Sequence, residues 1–593
     1  MQKNTEETRR LMTRWAEKMD RNCPLNDYPR PQLRRENWIC LNGPWQYAVC
    51  GGDKEPEKWD GDILVPFSPE ALLSGAERQL LPGQVLWYRR TVRFAGPGED
   101  RRLLLHFGAV DQCCTVYING KEAGSHSGGY WPFCFDITGP VCEGENVLTV
   151  SVTDVSDTGL QAYGKQKLKR GGIWYTAQSG IWQTVWAEYV PRGYIEYIRI
   201  TPDCRESAAD FYLALAGDAQ TCPECSIRIF DGDRLVSEER FSGNSARLRM
   251  DGFRYWSPDD PFLYTVRITA GRDTVESYFG MREFSAVRDT DGHLRISING
   301  KPFFHSGLLD QGYWSDGLYT APHDEAMIWE IGELKKLGFN MLRKHIKIEP
   351  LRWYYHCDRL GMLVWQDFVS GGGPYRSLVT QALPFVNVRL NDKRYGIFGR
   401  KDEAGRYIFE RDMSRTVSLL YNAACIAVWV PFNEGWGQFD ACRIAGRLRK
   451  LDPTRLIDHA SGWHDQMCGD FISRHIYYKK FKMEKDPQDR VQALSEFGGY
   501  SCPSAGHMAS ASLFGYRMYK DKAELTVAFE KLYLSEVLPA VQKGLAACVY
   551  TQVSDVEDEI NGIFTYDRAE LKLDAETVRR INEELRKAGG GAV

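Results

Sequence analysis

No stretch of this 593-residue chain approaches the roughly 20 consecutive apolar residues that a membrane-spanning helix needs, and no membrane partner is expected. Nor is there a surplus of one charge. Lys and Arg number 75 against 79 Asp and Glu, a net −4 with a pI near 6.3, so the basic face that nucleic acid requires is not implied. The first 21 residues are charged and polar and lack the apolar centre of a signal peptide, so the chain reads as cytoplasmic. The 16 cysteines lack the spacing of a disulfide scaffold, standing singly or as Cys113-Cys114, in agreement with that compartment. The one CxxC, Cys222-Pro223-Glu224-Cys225, has no second pair at zinc-ribbon spacing and lies in a strand-rich region. With no other His/Cys cluster, neither a catalytic metal nor a cofactor is expected.

What the chain has is aromatic surface. There are 17 Trp, 30 Tyr and 27 Phe. Trp and Tyr offer flat apolar faces with one polar edge, which suits both β-rich cores and stacking on a sugar ring. At about 100–200 residues per domain, the length predicts about three to five domains.

Three textures follow one another. Over 37–191, short apolar or alternating runs are broken by Gly, Pro and Asn, with Asn119-Gly120 as a hairpin turn between two of them. Many short strands without a helical period predict a β-sandwich. Over 193–286 the pattern repeats on the scale of an immunoglobulin-like sandwich. After His293, strands alternate with helical stretches. Strands are predicted at 303–309, 339–343, 362–366, 425–431, 456–459, 471–476, 492–495 and 545–552, and the helices between and after them include one over 522–540. Eight βα units predict a closed (β/α)8 barrel. An open doubly wound sheet ranks lower, because no Gly-rich phosphate turn follows the first strand. One long segment, 370–406, has little helical period and reads as a functional or mobile loop.

In such a barrel the active site lies at the C-terminal ends of the strands. The fourth apolar run ends in Asn433-Glu434-Gly435-Trp436 and the seventh in Glu496-Phe497-Gly498-Gly499. Strands four and seven lie roughly across an eight-strand ring, so both glutamates can face one cleft. A retaining glycosidase needs such a pair, one carboxyl as acid/base and one as nucleophile.

Further motifs agree. Leu41-Asn42-Gly43-Pro44-Trp45, Gln178-Ser179-Gly180-Ile181-Trp182, Tyr255-Trp256-Ser257-Pro258 through Tyr264, Asn433-Glu434 and Ser495-Glu496-Phe497-Gly498 together resemble glycoside hydrolase family 2, the β-galactosidase/β-glucuronidase family. The resemblance covers nearly the whole chain. It implies a jelly-roll sugar-binding domain over 1–192, an immunoglobulin-like domain over 193–286 and a catalytic TIM barrel over 287–593. It also implies Glu434 as acid/base, Glu496 as nucleophile, Asn433 against the sugar 2-hydroxyl and Tyr477 orienting Glu496. Arg343, His345, Trp365 and Asp367 fall where the family keeps site residues, and Asp310 and Tyr550 are further candidates.

The sugar follows from departures. The family's well-known galactosidases and glucuronidases place an aspartate six residues before the Gly of the jelly-roll motif, where this chain has Trp174. Glucuronidases hold the carboxylate with Asn-x-Lys after strand eight. Here that loop carries Asp555, Glu557, Asp558 and Glu559, expected to repel a uronic acid. Asn119-Gly120-Lys121 and Asn299-Gly300-Lys301 read as hairpin turns, and Asn391-Asp392-Lys393 lies in the long loop. A neutral terminal sugar is therefore expected, galactose first. The alternatives are β-glucuronide, β-mannoside or α-L-arabinopyranoside chemistry, or a non-catalytic carbohydrate-binding protein. Carbohydrate is the expected partner, and a homo-oligomer is left open.

Overall fold

The computed structural model describes residues 10–218, 223–383 and 388–590. The N-terminal module packs a six-stranded antiparallel sheet (spatial order Gly61–Val65, Gly43–Cys50, Val85–Phe94, Gly144–Thr153, Cys113–Ile118, Lys121–Ser127) on a four-stranded one (Trp38–Cys40, Val185–Pro191, Arg101–Phe107, Phe133–Asp136). Alternation drives this. Cys113–Ile118 buries every second residue, and Val116 and Ile118 join the core between the sheets. A smaller sandwich of three and four strands, from Gly193–Asp203 to Asp273–Phe279, follows. Cys225 is buried in its core, and Cys222 lies outside the described residues.

The third module is an eight-stranded parallel barrel sheet: β1 (His305–Asp310), β2 (Met341–Lys344), β3 (Leu363–Asp367), β4 (Ile426–Val430), β5 (Leu456–Ile457), β6 (Phe471–Ile476), β7 (Val491–Gly498) and β8 (Leu545–Thr551). Its order is β5-β4-β3-β2-β1-β8-β7-β6, so one seam, between β5 and β6, carries no ladder. Side chains and single bonds cross it instead: Ser473 Oγ donates to Asp458 Oδ1 at 2.9 Å, and Asp470 N–H to Ile457 O at 2.9 Å.

The helices are α1 (Asp324–Lys336), α2 (Leu351–Leu360), α3 (Glu403–Leu420), α4 (Ala441–Leu451), α5 (Lys522–Leu532) and α6 (Ala575–Ala588). Among the described residues no α-helix follows β5 or β6, so two of the eight βα units are reduced to loops. The helix α3 closes the long 370–406 segment and had no counterpart in the predicted elements. Asp402 caps it by accepting from Ala404 N–H, and Phe409, Met413, Val417 and Leu420 form its buried stripe. The predicted helix over 522–540 is α5 followed by a wider turn at Tyr533–Val537 and a short helix at Leu538–Val541. Pro539 stands at the start of that last piece, where its missing N–H costs least.

Two of the cysteines scattered through the sequence, Cys442 in α4 and Cys468 in the loop after β5, form a disulfide with a Cα–Cα distance of 5.7 Å. Among the described residues no helix is long and apolar enough to cross a membrane.

One loop of the N-terminal module reaches the barrel mouth. The backbone N–H groups of Tyr163 and Gly164 both donate to Ser370 O just beyond β3, at 3.0 and 3.1 Å. The next residue, Lys165, is thereby carried into the cleft, buried beneath the protein surface.

Candidate active site

Backbone irregularities aim the two glutamates. Between β7 and β8 the register jumps from Leu494 to Phe497, leaving Ser495 and Glu496 outside that ladder, a bulge that turns the carboxylate into the mouth. Gly498 follows at φ +83°, and a Cβ there would stand 2.3 Å from the Tyr550 ring. Glu434 follows β4 at φ +50°, a conformation uncommon outside glycine and a sign of a functional constraint. Its N–H is held by Ser461 O at 3.0 Å. Carboxylate oxygens of Glu434 and Glu496 and a ring nitrogen of His475 all lie within 4.8 Å of one another.

A single arginine ties the floor together. Arg343, wholly buried, donates to both oxygens of Asp367 at 3.0 Å, to Glu496 Oε1 at 3.0 Å and to Asn433 Oδ1 at 2.8 Å. Such charge-assisted bonds fix geometry as well as charge. Arg343 takes the amide oxygen of Asn433, and the amide nitrogen has no hydrogen-bond partner among the described residues. Asp367 also accepts from or shares a proton with His345 Nδ1 at 2.9 Å. Tyr477 donates its hydroxyl to Glu496 Oε2.

His475, which the sequence reading did not single out, stands directly across from Glu496 in the β6–β7 pairing. Arg343 Nη1 lies 3.3 Å from its Nε2 and has only protons to give, so Nε2 accepts. The ring proton therefore sits on Nδ1 and is donated to Glu434 Oε1 at 2.8 Å. Burial drives the His475 pKa down to about 4, so the ring is neutral near pH 7. Burial also pushes the Glu434 carboxyl up to about 8, against the opposing pull of Lys165 and Arg343. The pair is thus electrostatically unequal: Glu434 holds a proton at neutral pH, while Glu496 receives two donors.

The rim adds residues from afar. Lys165 lies 3.9 Å from Glu559, which also accepts from Tyr175 and from Asn561 Nδ2 at 2.9 Å. Tyr516 stacks on Tyr477 with ring centroids 3.9 Å apart. Trp174 packs at 5.0 Å on Trp436, which meets His345 edge-on and Tyr375 face-on.

Of the residues singled out from sequence, Glu434, Glu496, Asn433, Tyr477, Arg343, His345 and Asp367 converge here. Three do not. Asp310 is committed to Lys344 Nζ at 2.6 Å within a buried charge cluster that includes Glu349 and Lys347. Trp365 points into the barrel interior, its indole N–H donating to His305 Nδ1 at 3.0 Å and its ring packing on Phe471. Tyr550 is core, wedged among Phe497, Phe529 and Tyr533 beneath Gly498. Asp310 and Tyr550 present their side chains to the outer face of the sheet, and Trp365 shares the inner face with Asp367 one layer deeper.

Three family models match along the chain: the sugar binding domain of glycosyl hydrolases family 2 over residues 78–186, a glycosyl hydrolases family 2 domain over 193–282 and the family's TIM barrel domain over 287–581. The chain belongs to glycoside hydrolase family 2. Within the family it is similar to a β-glucuronidase of Streptococcus agalactiae, 25% identical over 68% of this chain and 67% of that one. It is also similar to a β-galactosidase of Thermoanaerobacter pseudethanolicus, 24% identical over 48% of this chain and 39% of that one. The chain spans about two fifths of the length of most curated relatives it matches. Among solved structures, a β-glucuronidase from an uncultured Clostridium superposes with a TM-score of 0.73 at 18% identity, covering 94% of this chain and 99% of that one. A GH2 β-galacturonidase from Eisenbergiella tayi gives a TM-score of 0.70 at 17% identity over 94% of this chain and 99% of that one.

Proposed function

We propose that the protein is a retaining exo-β-glycosidase in which Glu496 attacks the anomeric carbon and Glu434 protonates the leaving oxygen, then deprotonates water. The carrying observation is the close approach of two carboxylates of opposite character. Their oxygens come within 4.8 Å, in keeping with the roughly 5–5.5 Å carboxyl separation of retaining enzymes and short of the roughly 6.5–9.5 Å of inverting ones. Asn433 Nδ2, unpartnered beside Glu434, is placed to bind the 2-hydroxyl, a contact that strengthens as the ring flattens. The Trp174–Trp436–Tyr375 wall supports the exo reading by closing one side of the cleft.

For the sugar we propose a neutral glycone, galactose first. The argument from the acidic loop after β8 changes in kind. Asp555 is paired with Lys572 at 2.6 Å, Asp558 with Arg170 at 2.8 Å, and Glu557 accepts from Thr176 N–H at 3.1 Å, so these carboxylates hold the loop. The support is now the Lys165–Glu559 couple, in which Glu559 offsets the charge of Lys165. The second reading, a β-glucuronide, rests on Lys165 itself, a buried cation near Glu434, and on relatives that bear that name. A panel of nitrophenyl β-glycosides at pH 6–7 separates them. A galactoside kcat/KM above that of the glucuronide is expected, and the reverse order overturns the neutral reading. Turnover of neither, nor of any other member of the panel, overturns the hydrolase reading.

Tyr477→Phe tests the positioning of Glu496. Loss of a hydrogen bond to a charged carboxylate is expected to lower kcat/KM by about 10- to 100-fold. The loss should fall on kcat more than on KM, because the tyrosine touches the attacking carboxylate. An unchanged kcat would assign the tyrosine to packing.

A further inference from the structure

At the unpaired seam between β5 and β6 the barrel wall holds a cavity of about 500 Å³. His475 and Tyr477, the side chains that hold Glu434 and Glu496, form its inner wall. It lies on the Glu434 side. The Ser461 carbonyl that receives the Glu434 N–H immediately precedes Gly462 and Trp463, both of which line it. The Trp463 indole, 6.1 Å from the His475 ring, offers an aromatic face there.

The cavity is cationic. Arg389, Arg474, Lys479, Lys480 and Lys482 line it, against Asp465 and Glu484. Asp465 bridges Arg490 at 2.8 Å, His459 at 3.0 Å and Arg389 at 3.4 Å, and Glu484 pairs with Arg474 at 3.1 Å, so the acids and both arginines are engaged and the remaining charge is that of the lysines. Lys480 and Lys482 are exposed and form no ion pair among the described residues. Gathering like charges around a concavity is unfavourable unless an anion enters it, and the same field draws anions in.

We propose that this cavity is the leaving-group subsite and that it takes an anionic sugar residue, one bearing a carboxylate or sulfate group. This rests on the glycosidase reading above, which makes the Glu434 side the departure side of the scissile bond. The volume falls within the roughly 300–1,000 Å³ of small-ligand sites. The charge that faces an entering anion is that of Lys480 and Lys482, which form no ion pair among the described residues.

The test uses the full-length protein and the glycone that turns over fastest in the nitrophenyl panel. Glycosides with 4-carboxyphenyl and 4-sulfophenyl leaving groups are each compared with a neutral aryl glycoside of matched leaving-group acidity. The expected result is a kcat/KM about five- to tenfold higher for at least one anionic member at low ionic strength. The advantage should largely vanish near about 0.5 M salt. Which anion gains tells a carboxylate-bearing partner from a sulfated one. In the Lys480→Glu/Lys482→Glu variant the anionic-to-neutral ratio should fall to one or below. Equal kcat/KM within both matched pairs at low salt overturns the proposal. Failure of every aryl glycoside overturns the hydrolase reading beneath it as well, so the two failures are distinct.

Discussion

Glu496→Ala is expected to cut turnover by on the order of 10⁴–10⁶-fold while leaving the fold intact. The side chain is buried at the barrel mouth, and its loss frees Arg343 and Tyr477 from one acceptor each. The decisive observation is rescue. Azide entering the vacated space would attack the anomeric carbon from the nucleophile side as the C1–O bond breaks and Glu434 gives its proton to the departing oxygen. The product is a glycosyl azide of inverted configuration. Wild-type-like hydrolysis by the purified variant would remove Glu496 from the mechanism. A dead variant with native circular dichroism but no azide product would argue for a binding role.

The second large effect concerns Glu434. Glu434→Gln should slow glycosides with poor leaving groups about 10²–10⁴-fold, and activated aryl glycosides far less, because only a basic leaving oxygen needs the proton. The raised pKa sets the pH signature. A carboxyl at about 8 is protonated and competent below that value and loses its proton above it. The basic limb of kcat/KM should therefore fall near pH 8, and the Gln variant should lose that limb with activated substrates. Equal losses on both substrate types, or a limb that persists in the variant, would place the general acid elsewhere.

How much of this was legible in the sequence follows from what each residue's signal depends on. The modules, the barrel and the glutamate pair declare themselves through local pattern, since apolar runs ending in Asn-Glu and Ser-Glu-Phe-Gly put polar groups at strand ends. Side-chain direction is harder. Asp310 and Tyr550 occupy strand ends too, and only the pleat decides which face each presents, while Trp365 lies on the inner face one layer below Asp367. His475 was within reach. It lies two residues before Tyr477, so a strand's period of two places both on one face. Helix α3 carried an Asp cap and a four-residue apolar spacing, masked by the irregular glycine-rich stretch before it. Lys165 was beyond reach, because its position depends on how one module docks on another rather than on its neighbours in sequence. The meaning of the acidic loop turned on partners as distant in sequence as Arg170 and Lys572.

The lysine carried in from the N-terminal module has a consequence for engineering. A barrel excised for its chemistry would keep both carboxylates and lose the Lys165 ammonium that faces Glu434, along with Trp174 against Trp436. Chimeras that graft this barrel onto a relative's front module would inherit a foreign rim. Residues 163–176 carry Lys165 and Trp174 to the rim together with Arg170 and Thr176, which hold the loop after β8, so exchanging that block changes rim and loop together.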